Sequence, residues 1–501
     1  MDAILANLSL GLSVAVSPEN LLYCLIGVLL GTLIGVLPGL GASATLAMLL
    51  PFTFGLPSAG ALIMLAGIYY GAQYGGSTTS ILLRIPGEST SVMTAIDGHE
   101  MAKLGRAGAA LAVAAIASFI AGTLATLLVG LIAMPLVSVA LAFGSVEYFA
   151  LMVFGVVLSI SLSSGSLVKS LAMVSLGLLL STVGSDIETA QHRLTFGMLE
   201  FSDGLEVVVI AMGLFGLAEV MRNVGAEEQR AFVTKKLTGL WLTAKDFKDS
   251  AGAITRGFGI GSLLGILPGA GAILASFTAY AVEKRVSRHP EEFGKGAIQG
   301  VAAPEAANNA AAQTGFVTLL ALGIPGNIIM ALMMGAMIMQ GIAPGPRVMV
   351  EQPGLFWGLI VSMWVGNLML LVLNLPLVGI WVKLLSVPYR LMFPSIVVFA
   401  AVGTYSIGGS PLDVIMAAVF GLVGYFLVMH RFDLPPLMLG FVLGPLLENN
   451  LRRSLLIARG DLSVFITHPI SAAFLGLSVL MIVLAVVPAL RRRKEEVLKE
   501  A

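Results

Sequence analysis

Nine apolar stretches dominate this chain: Leu21–Leu37, Ala109–Met134, Tyr148–Leu162, Leu167–Val183, Val207–Val220, Phe356–Leu375, Ile396–Ile407, Val414–Met429 and Ile470–Leu490. A helix that crosses the hydrocarbon of a bilayer needs roughly 20 apolar residues. Some stretches reach that length; others are shorter or are broken by Gly and Pro. The pattern predicts about 10–12 membrane segments, some of them partial. Only 11% of the 501 residues are charged and 57% are hydrophobic, against about 25% charged in a soluble domain. Mean hydropathy is +0.96. So apolar a chain cannot hide its side chains in one water-facing core, so the expected class is an all-α polytopic membrane protein.

An internal repeat organises the chain. Gly35-Val36-Leu37-Pro38-Gly39-Leu40-Gly41-Ala42 recurs 230 positions later as Gly265-Ile266-Leu267-Pro268-Gly269-Ala270-Gly271-Ala272. Ile85-Pro86-Gly87-Glu88 recurs at an offset of 239 as Ile324-Pro325-Gly326-Asn327, Ser145–Tyr148 matches Ser386–Tyr389 at 241, and Gly165-Ser166 matches Gly409-Ser410 at 244. The order is kept and the offset grows as insertions would make it grow, with the largest step where the second half carries Glu283–Lys295. Residues 1–221 then form a first transmembrane repeat, 222–256 a linker, 257–490 a second repeat and 491–501 a basic tail. Linker and tail are rich in Lys and Arg, which places both in the cytoplasm. Halves that both end inside suggest a parallel repeat, whereas many transporters use inverted repeats with re-entrant hairpins. Both arrangements stay open. Near the N-terminus there is an acidic Asp2 and no Lys or Arg, unlike a signal peptide; residues 3–16 are expected to form a short interfacial or partial helix before a first span opening at Leu21. Cys24 lies in an apolar run and is expected to be a packing residue.

Four Pro-Gly breaks fall at repeat-matched positions: Pro38-Gly39, Pro268-Gly269, Pro86-Gly87 and Pro325-Gly326. Pro removes a backbone donor and Gly loosens a helix. Both are also ordinary kinking and packing residues of membrane helices. A break inside lipid is tolerated only where protein or a watery cavity surrounds it, and the freed N-terminus of a half-helix attracts anions. Gly41, Ser43 and Gly271 flank the first pair of breaks and Asn327 follows the last. Beside the breaks stand Gly75-Gly76-Ser77-Thr78-Thr79 in half one and Glu305, Asn308 and Asn309 in half two. Hydroxyls and amides bind carboxylates or small cations, and Glu305 in an alanine run costs about 2.5–3.5 kcal/mol in lipid unless it faces a cavity, a cation or a base. These residues form the candidate substrate- or ion-binding set. Arg84 is expected to pair with Glu88 rather than with a substrate, and Asp97-Gly98-His99-Glu100 to be a polar loop without a metal.

Gly39-Leu40-Gly41-Ala42-Ser43-Ala44 fits G-x-G-x-x-A only formally, because membrane segments flank it and no acid follows before Glu88. No phosphate-binding loop occurs, so transport by this chain would draw on an ion gradient. No basic stripe with interleaved aromatics points to nucleic acid.

The runs Gly35–Leu50, Gly67–Ile81, Ala95–Gly98, Gly105–Ala110, Gly265–Gly271, Pro304–Asn309, Gly323–Gly326 and Leu447–Arg453 resemble the large membrane subunit of the tripartite tricarboxylate transporters, the TctA family. The resemblance covers nearly the whole chain; Arg84 departs from it, standing where Asn or a similar polar residue is expected. It implies a multi-pass protein of the bacterial inner membrane that is not an enzyme. It implies two partners besides the lipid bilayer, a small four-span membrane subunit and a periplasmic solute-binding protein. The cargo would be a small organic carboxylate, with Na+ or H+ as the coupling ion and no cofactor. The competing classes are a non-transporting scaffold subunit, which would have no use for broken helices, and an intramembrane enzyme, which would need paired acids or Ser with His or Lys inside the spans.

Overall fold

Glycines four residues apart bring the central helices together. In the computed structural model, which describes residues 2–37, 41–140, 143–162, 166–186, 188–223, 239–267, 271–384 and 389–500, α1 (Pro18–Val36) packs on α2 (Ser58–Leu83). A Cβ on Gly27, Gly31 or Gly35 would lie 2.3 Å from the carbonyl oxygens of Met64, Ile68 and Ala72. Gly71 and Gly75 of α2 meet the α1 backbone as closely. Lipid offers no hydrophobic drive between helices, so such small-residue stripes supply the association through close van der Waals contact. The same spacing recurs farther along the chain. There α5 (Ala244–Ile266) sets Gly257, Gly261 and Gly265 against the carbonyls of Ala303, Ala307 and Ala311, where a Cβ would lie 2.4, 2.3 and 2.5 Å away.

Between these pairs run α3 (Val92–Lys103) and α4 (Ala107–Ala140), then, after α5, α6 (Gly271–Val286), α7 (Gln299–Val317), α8 (Ile328–Met339) and α9 (Pro353–Asn374). The centre is α2 and α7, buried along nearly their whole length. Around them the pattern inverts that of a soluble protein. Ile415, Leu422 and Phe426 on the helix Pro411–Met429 and Val479, Leu480 and Leu484 on the helix Pro469–Glu500 are exposed, while Gln73, Thr79, Glu305 and Asn309 are buried. Such a surface requires lipid. Among the described residues five segments are long and apolar enough to cross a membrane: Pro18–Val36, Ser89–Val139, Pro353–Asn374, Pro411–Met429 and Pro469–Val487. The chain is thus an all-α, multi-pass membrane protein; the only strands described are the two-residue pair Gly184–Ser185 and His192–Arg193.

Several local expectations change. The first long helix opens at Pro18, not Leu21, because Pro suits the first helical turn and Ser17 Oγ accepts from Asn20 N at 3.4 Å. Residues 244–256 of the expected linker belong to α5, opened by a reciprocal Thr243–Asp246 cap; residues 224–238 lie outside the described set. Asp97-Gly98-His99-Glu100 is helical, not a loop. Asp97 Oδ1 accepts the amides of Gly294, Gly296 and Ala297 at 2.8–2.9 Å, and its Oδ2 accepts from Tyr280 at 2.9 Å. The second half's extra segment is therefore tied to α3. Arg84 ends α2 in the left-handed conformation (φ 58°) and reaches Glu100 at 3.8 Å, not Glu88, which is buried and held by Thr90. The Leu447–Arg453 motif clamps the segment of the first half that carries Asp186 and Arg193, since Arg452 meets Asp186 at 2.9 Å and Glu448 at 2.6 Å while Arg193 meets Glu448 at 2.8 Å. Cys24 is buried beside Gly366.

A Cβ at Gly261 has no room, whereas one at Gly259 on the same helix meets nothing within 4 Å. Overpacking typically costs about 1–3 kcal/mol. Gly261→Ala should therefore lower the thermal midpoint of the purified protein measurably, and Gly259→Ala should leave it unchanged. Equal midpoints for the two variants would show that the α5–α7 contact is not the tight one.

Candidate functional site

Glu305 sits on α7 with only 1% of its surface exposed and no ion-pair partner among the described residues. Holding a carboxylate there costs several kcal/mol unless its oxygens are satisfied. Hydroxyls from three other helices do so. Ser77 on α2 donates to Oε1 at 2.7 Å, Thr94 on α3 donates to the same oxygen, and Ser118 on α4 donates to Oε2 at 3.2 Å. Asn309, one turn along α7, donates to Ser118 Oγ at 2.7 Å and to the Glu305 carbonyl at 3.1 Å. A small cavity of about 10 Å³ opens beside the carboxylate, lined by Tyr74, Ser77, Thr78, Ser118, Glu305 and Asn374 among others. Tyr74 is oriented by its 2.7 Å bond to Asn367 Oδ1, whose amide in turn reaches α4 at Phe119 O and Thr123 Oγ1.

The break after α2 lies against this core. Gly87 approaches Gly35 O and Gly76 Cα so closely that a Cβ would lie 2.5 Å from each, and a Cβ on Gly76 would lie 2.9 Å from Glu88 Cγ. Glu88 caps the turn Ser89–Ser91, which leads into α3. Its carboxylate comes beside Asn308, yet neither side-chain amide atom of Asn308 meets hydrogen-bond geometry with any of the described residues. Both amide atoms of Gln73 and the Tyr70 hydroxyl are likewise buried without a partner. In the second break, Gly323 (φ 69°) ends the turn after α7, and Asn327 caps α8 by accepting from Met330 N at 3.0 Å. Gly326 lies near Thr318 Oγ1 and Gly265 O, while Gly271 approaches Asn327.

The structure thus gathers Ser77, Thr78 and Glu305 at one cavity, with Asn309 bonded to Ser118 of its wall and Asn308 and Glu88 close by. Gly75, Gly76 and Gly87 serve the close backbone approach. Thr79 points elsewhere, donating to Val36 O at 2.6 Å at the end of α1. Gly41 and Ser43 lie at the start of the short helix Ala42–Leu49, where Gly41 O accepts from Thr45 Oγ1 at 3.0 Å, and neither lines the cavity. Pro86 is half-buried and Pro325 buried, each inside its break. Pro38, Gly39, Pro268 and Gly269 lie outside the described residues. Sequence reasoning missed Gln73, Glu88, Thr94, Ser118 and Asn374. Ser118 carried a faint signal as a hydroxyl in the alanine-rich stretch Ala107–Ala121, and Gln73 as an amide in an otherwise apolar and glycine-rich run.

Residues 21–439 match the family described as the tripartite tricarboxylate transporter TctA family. An uncharacterized 52.8 kDa protein of the TAR-I ttuC′ 3′ region of Agrobacterium vitis is 56% identical over 500 residues, 100% of both chains. An uncharacterized protein of the TAR-II ttuC′ 3′ region of the same organism is 57% identical over 240 residues, 48% of this chain and 99% of that one. No solved structure matches the chain.

A hydrogen bond to a charged group contributes about 1.5–3 kcal/mol. Thr94→Val, which removes one donor to Glu305, should destabilise the protein by about that amount, read as a lowered thermal midpoint in detergent. Ser89→Ala, at an exposed position of the same segment, should stay within about 0.5 kcal/mol of wild type. A Thr94→Val midpoint equal to wild type would remove Glu305 from its place as the joint of these helices.

Proposed function

The chain belongs to the tripartite tricarboxylate transporter TctA family, and from that premise we propose that it forms the translocation path of a secondary transporter importing a tricarboxylate or related small organic carboxylate by Na+ or H+ symport. It is a membrane subunit of a transport complex. In this reading it sits in the bacterial inner membrane and works with a small four-span membrane subunit and a periplasmic solute-binding protein that delivers the cargo. The observation that carries the reading is the polar cavity at Glu305, where four helices converge hydroxyl, amide and carboxylate groups in the centre of a lipid-facing protein. A polar chamber at that depth is costly, and in membrane proteins such groups mark ion and substrate paths.

The cavity measures about 10 Å³, room for about one water and none for a carboxylate cargo, which supports a closed state between openings to the two sides. The break after α2 packs against Gly35 and Gly76, and the half-helix α8 starts at the second break with its N-terminal dipole. The recurrence of the glycine contacts of α1 and α2 in α5 and α7, at the same offsets of 230 and 239 positions, supports two duplicated halves of about 1–221 and 257–490. Whether those halves run parallel or inverted, and whether the breaks turn back as re-entrant hairpins, follows from where the linker and the basic tail lie; the charge pattern favours the cytoplasm for both.

Reconstituted with its partners in vesicles, the protein should take up a carboxylate when an ion gradient is imposed, and ATP alone should support none. Thr78→Val, at the cavity wall, should raise the apparent KM about tenfold, about 1.4 kcal/mol, with normal expression. Uptake that persists with every gradient collapsed would sink the secondary-transport reading, and wild-type kinetics in the variant would move the path away from this cavity.

A further inference from the structure

Two carboxylates lie buried in the protein's centre, Glu305 and Glu88, and no Lys or Arg pairs with either among the described residues. Their surroundings are unequal. Glu305 has three hydroxyl donors on its two oxygens. Glu88 Oε1 takes a bond from Thr90, and Asn308 lies beside the carboxylate with its amide oxygen and nitrogen both unspent. Gln73 stands one turn before Gly76 on α2, and Glu88 packs against Gly76; both side-chain amide atoms of Gln73 are also without a partner among the described residues. Two buried amides without partners are unusual, because burying an amide unpaired is costly.

We propose that Glu88, Asn308 and Gln73 form a site for one dehydrated monovalent metal cation of Na+ size. The amides make the distinction between a metal and a proton. A proton on Glu88 neutralises the carboxylate but leaves the Asn308 and Gln73 oxygens idle, since amides do not titrate. A hard cation uses all of them, because carboxylate and amide oxygens are its preferred ligands. Among the described residues no three acidic, His or Cys side chains gather at one point, so the charge present suits one positive charge rather than a divalent or transition metal. The titratable groups around the site are Glu305 from α7 and Tyr69 from α2; α3 and α4 turn Thr94 and Ser118 toward Glu305. The cation would bind at the junction of the break after α2 with α7, beside the cavity. Its role as the coupling ion rests on the transport reading above.

The test is cation-dependent thermal stability of the purified full chain, titrated with NaCl against choline chloride at constant ionic strength. Wild type should show a saturable rise in midpoint with Na+ and none with choline. Asn308→Ala removes a side chain that makes no hydrogen bond, so it should fold, and it should shift the half-saturating Na+ concentration upward at least tenfold. Asn308→Asp adds an anionic ligand and should shift it downward. Glu88→Gln should abolish the response; because Glu88 also caps a turn, the two Asn308 variants stand independently of whether it folds. A wild-type response identical in Na+ and choline overturns the site, as does an unshifted half-saturation in both Asn308 variants. In vesicles, carboxylate uptake driven by a proton gradient without Na+ would overturn the cation's coupling role and leave the transport reading standing. Uptake of no carboxylate under any gradient would overturn the transport reading while a Na+ response in the binding assay still stood.

Discussion

Hydrocarbon offers no hydrogen bonds, so every break in a helix and every charge inside this protein must be satisfied by the protein itself. The glycine stripes meet that demand first. By letting α1 reach α2 and α5 reach α7 backbone to backbone, they exclude lipid from the centre and leave room for two helices whose exposed faces would otherwise be too polar for a bilayer. The break at Pro86-Gly87 is possible for the same reason. It lies against Gly35 and Gly76, where any side chain would hold the strands of backbone apart, and Glu88 and Ser91 cap the turn that restarts the helix.

Glu305 then acts as the joint. A carboxylate without a base would be expelled or protonated in most apolar settings; here hydroxyls of α2, α3 and α4 converge on it. Because those donors come from helices on both sides of the cavity, movement of one helix pair against the other changes the solvation of the carboxylate. The unspent amides of Asn308 and Gln73 lie at the same place, where the fold leaves polar capacity that its own side chains do not consume.

The breaks combine two duties that the sequence pattern could not separate. Gly75, Gly76 and Gly87 are where backbones touch, and Thr79 fastens α2 to the end of α1; these are scaffold. Ser77, Thr78 and Glu305 share the cavity, and Asn309 holds Ser118 of its wall. The chemistry is also unequal between the two glycine-matched pairs. The position 239 residues before Glu305 is Ala66, and the one before Asn308 is Tyr69. Similar frames therefore carry different side chains, and the polar site is assembled by what each frame contributes to the other.

The sequence by itself determined the environment and much of the helical plan, because apolar runs and small-residue spacing are local properties that lipid reads directly. Pro353–Asn374 and Pro411–Met429 fall within a few residues of their apolar stretches. The runs through α2 and α7 did not read as spans, since a helix buried on all sides by protein has no need of an apolar surface. Glu305, Asn308 and Asn309 were legible as costly residues in an alanine run. Their partners were not. Ser77, Thr94 and Ser118 stand 228, 211 and 187 residues from Glu305 in the chain, and a hydroxyl in a helix carries no mark of whether it bonds its own backbone or a distant carboxylate. Arg84 shows the same limit at short range: four residues from Glu88, it turns to Glu100 because the helix ends beneath it. Only tertiary packing decides which polar groups meet, since the energy that brings them together belongs to the helix contacts around them.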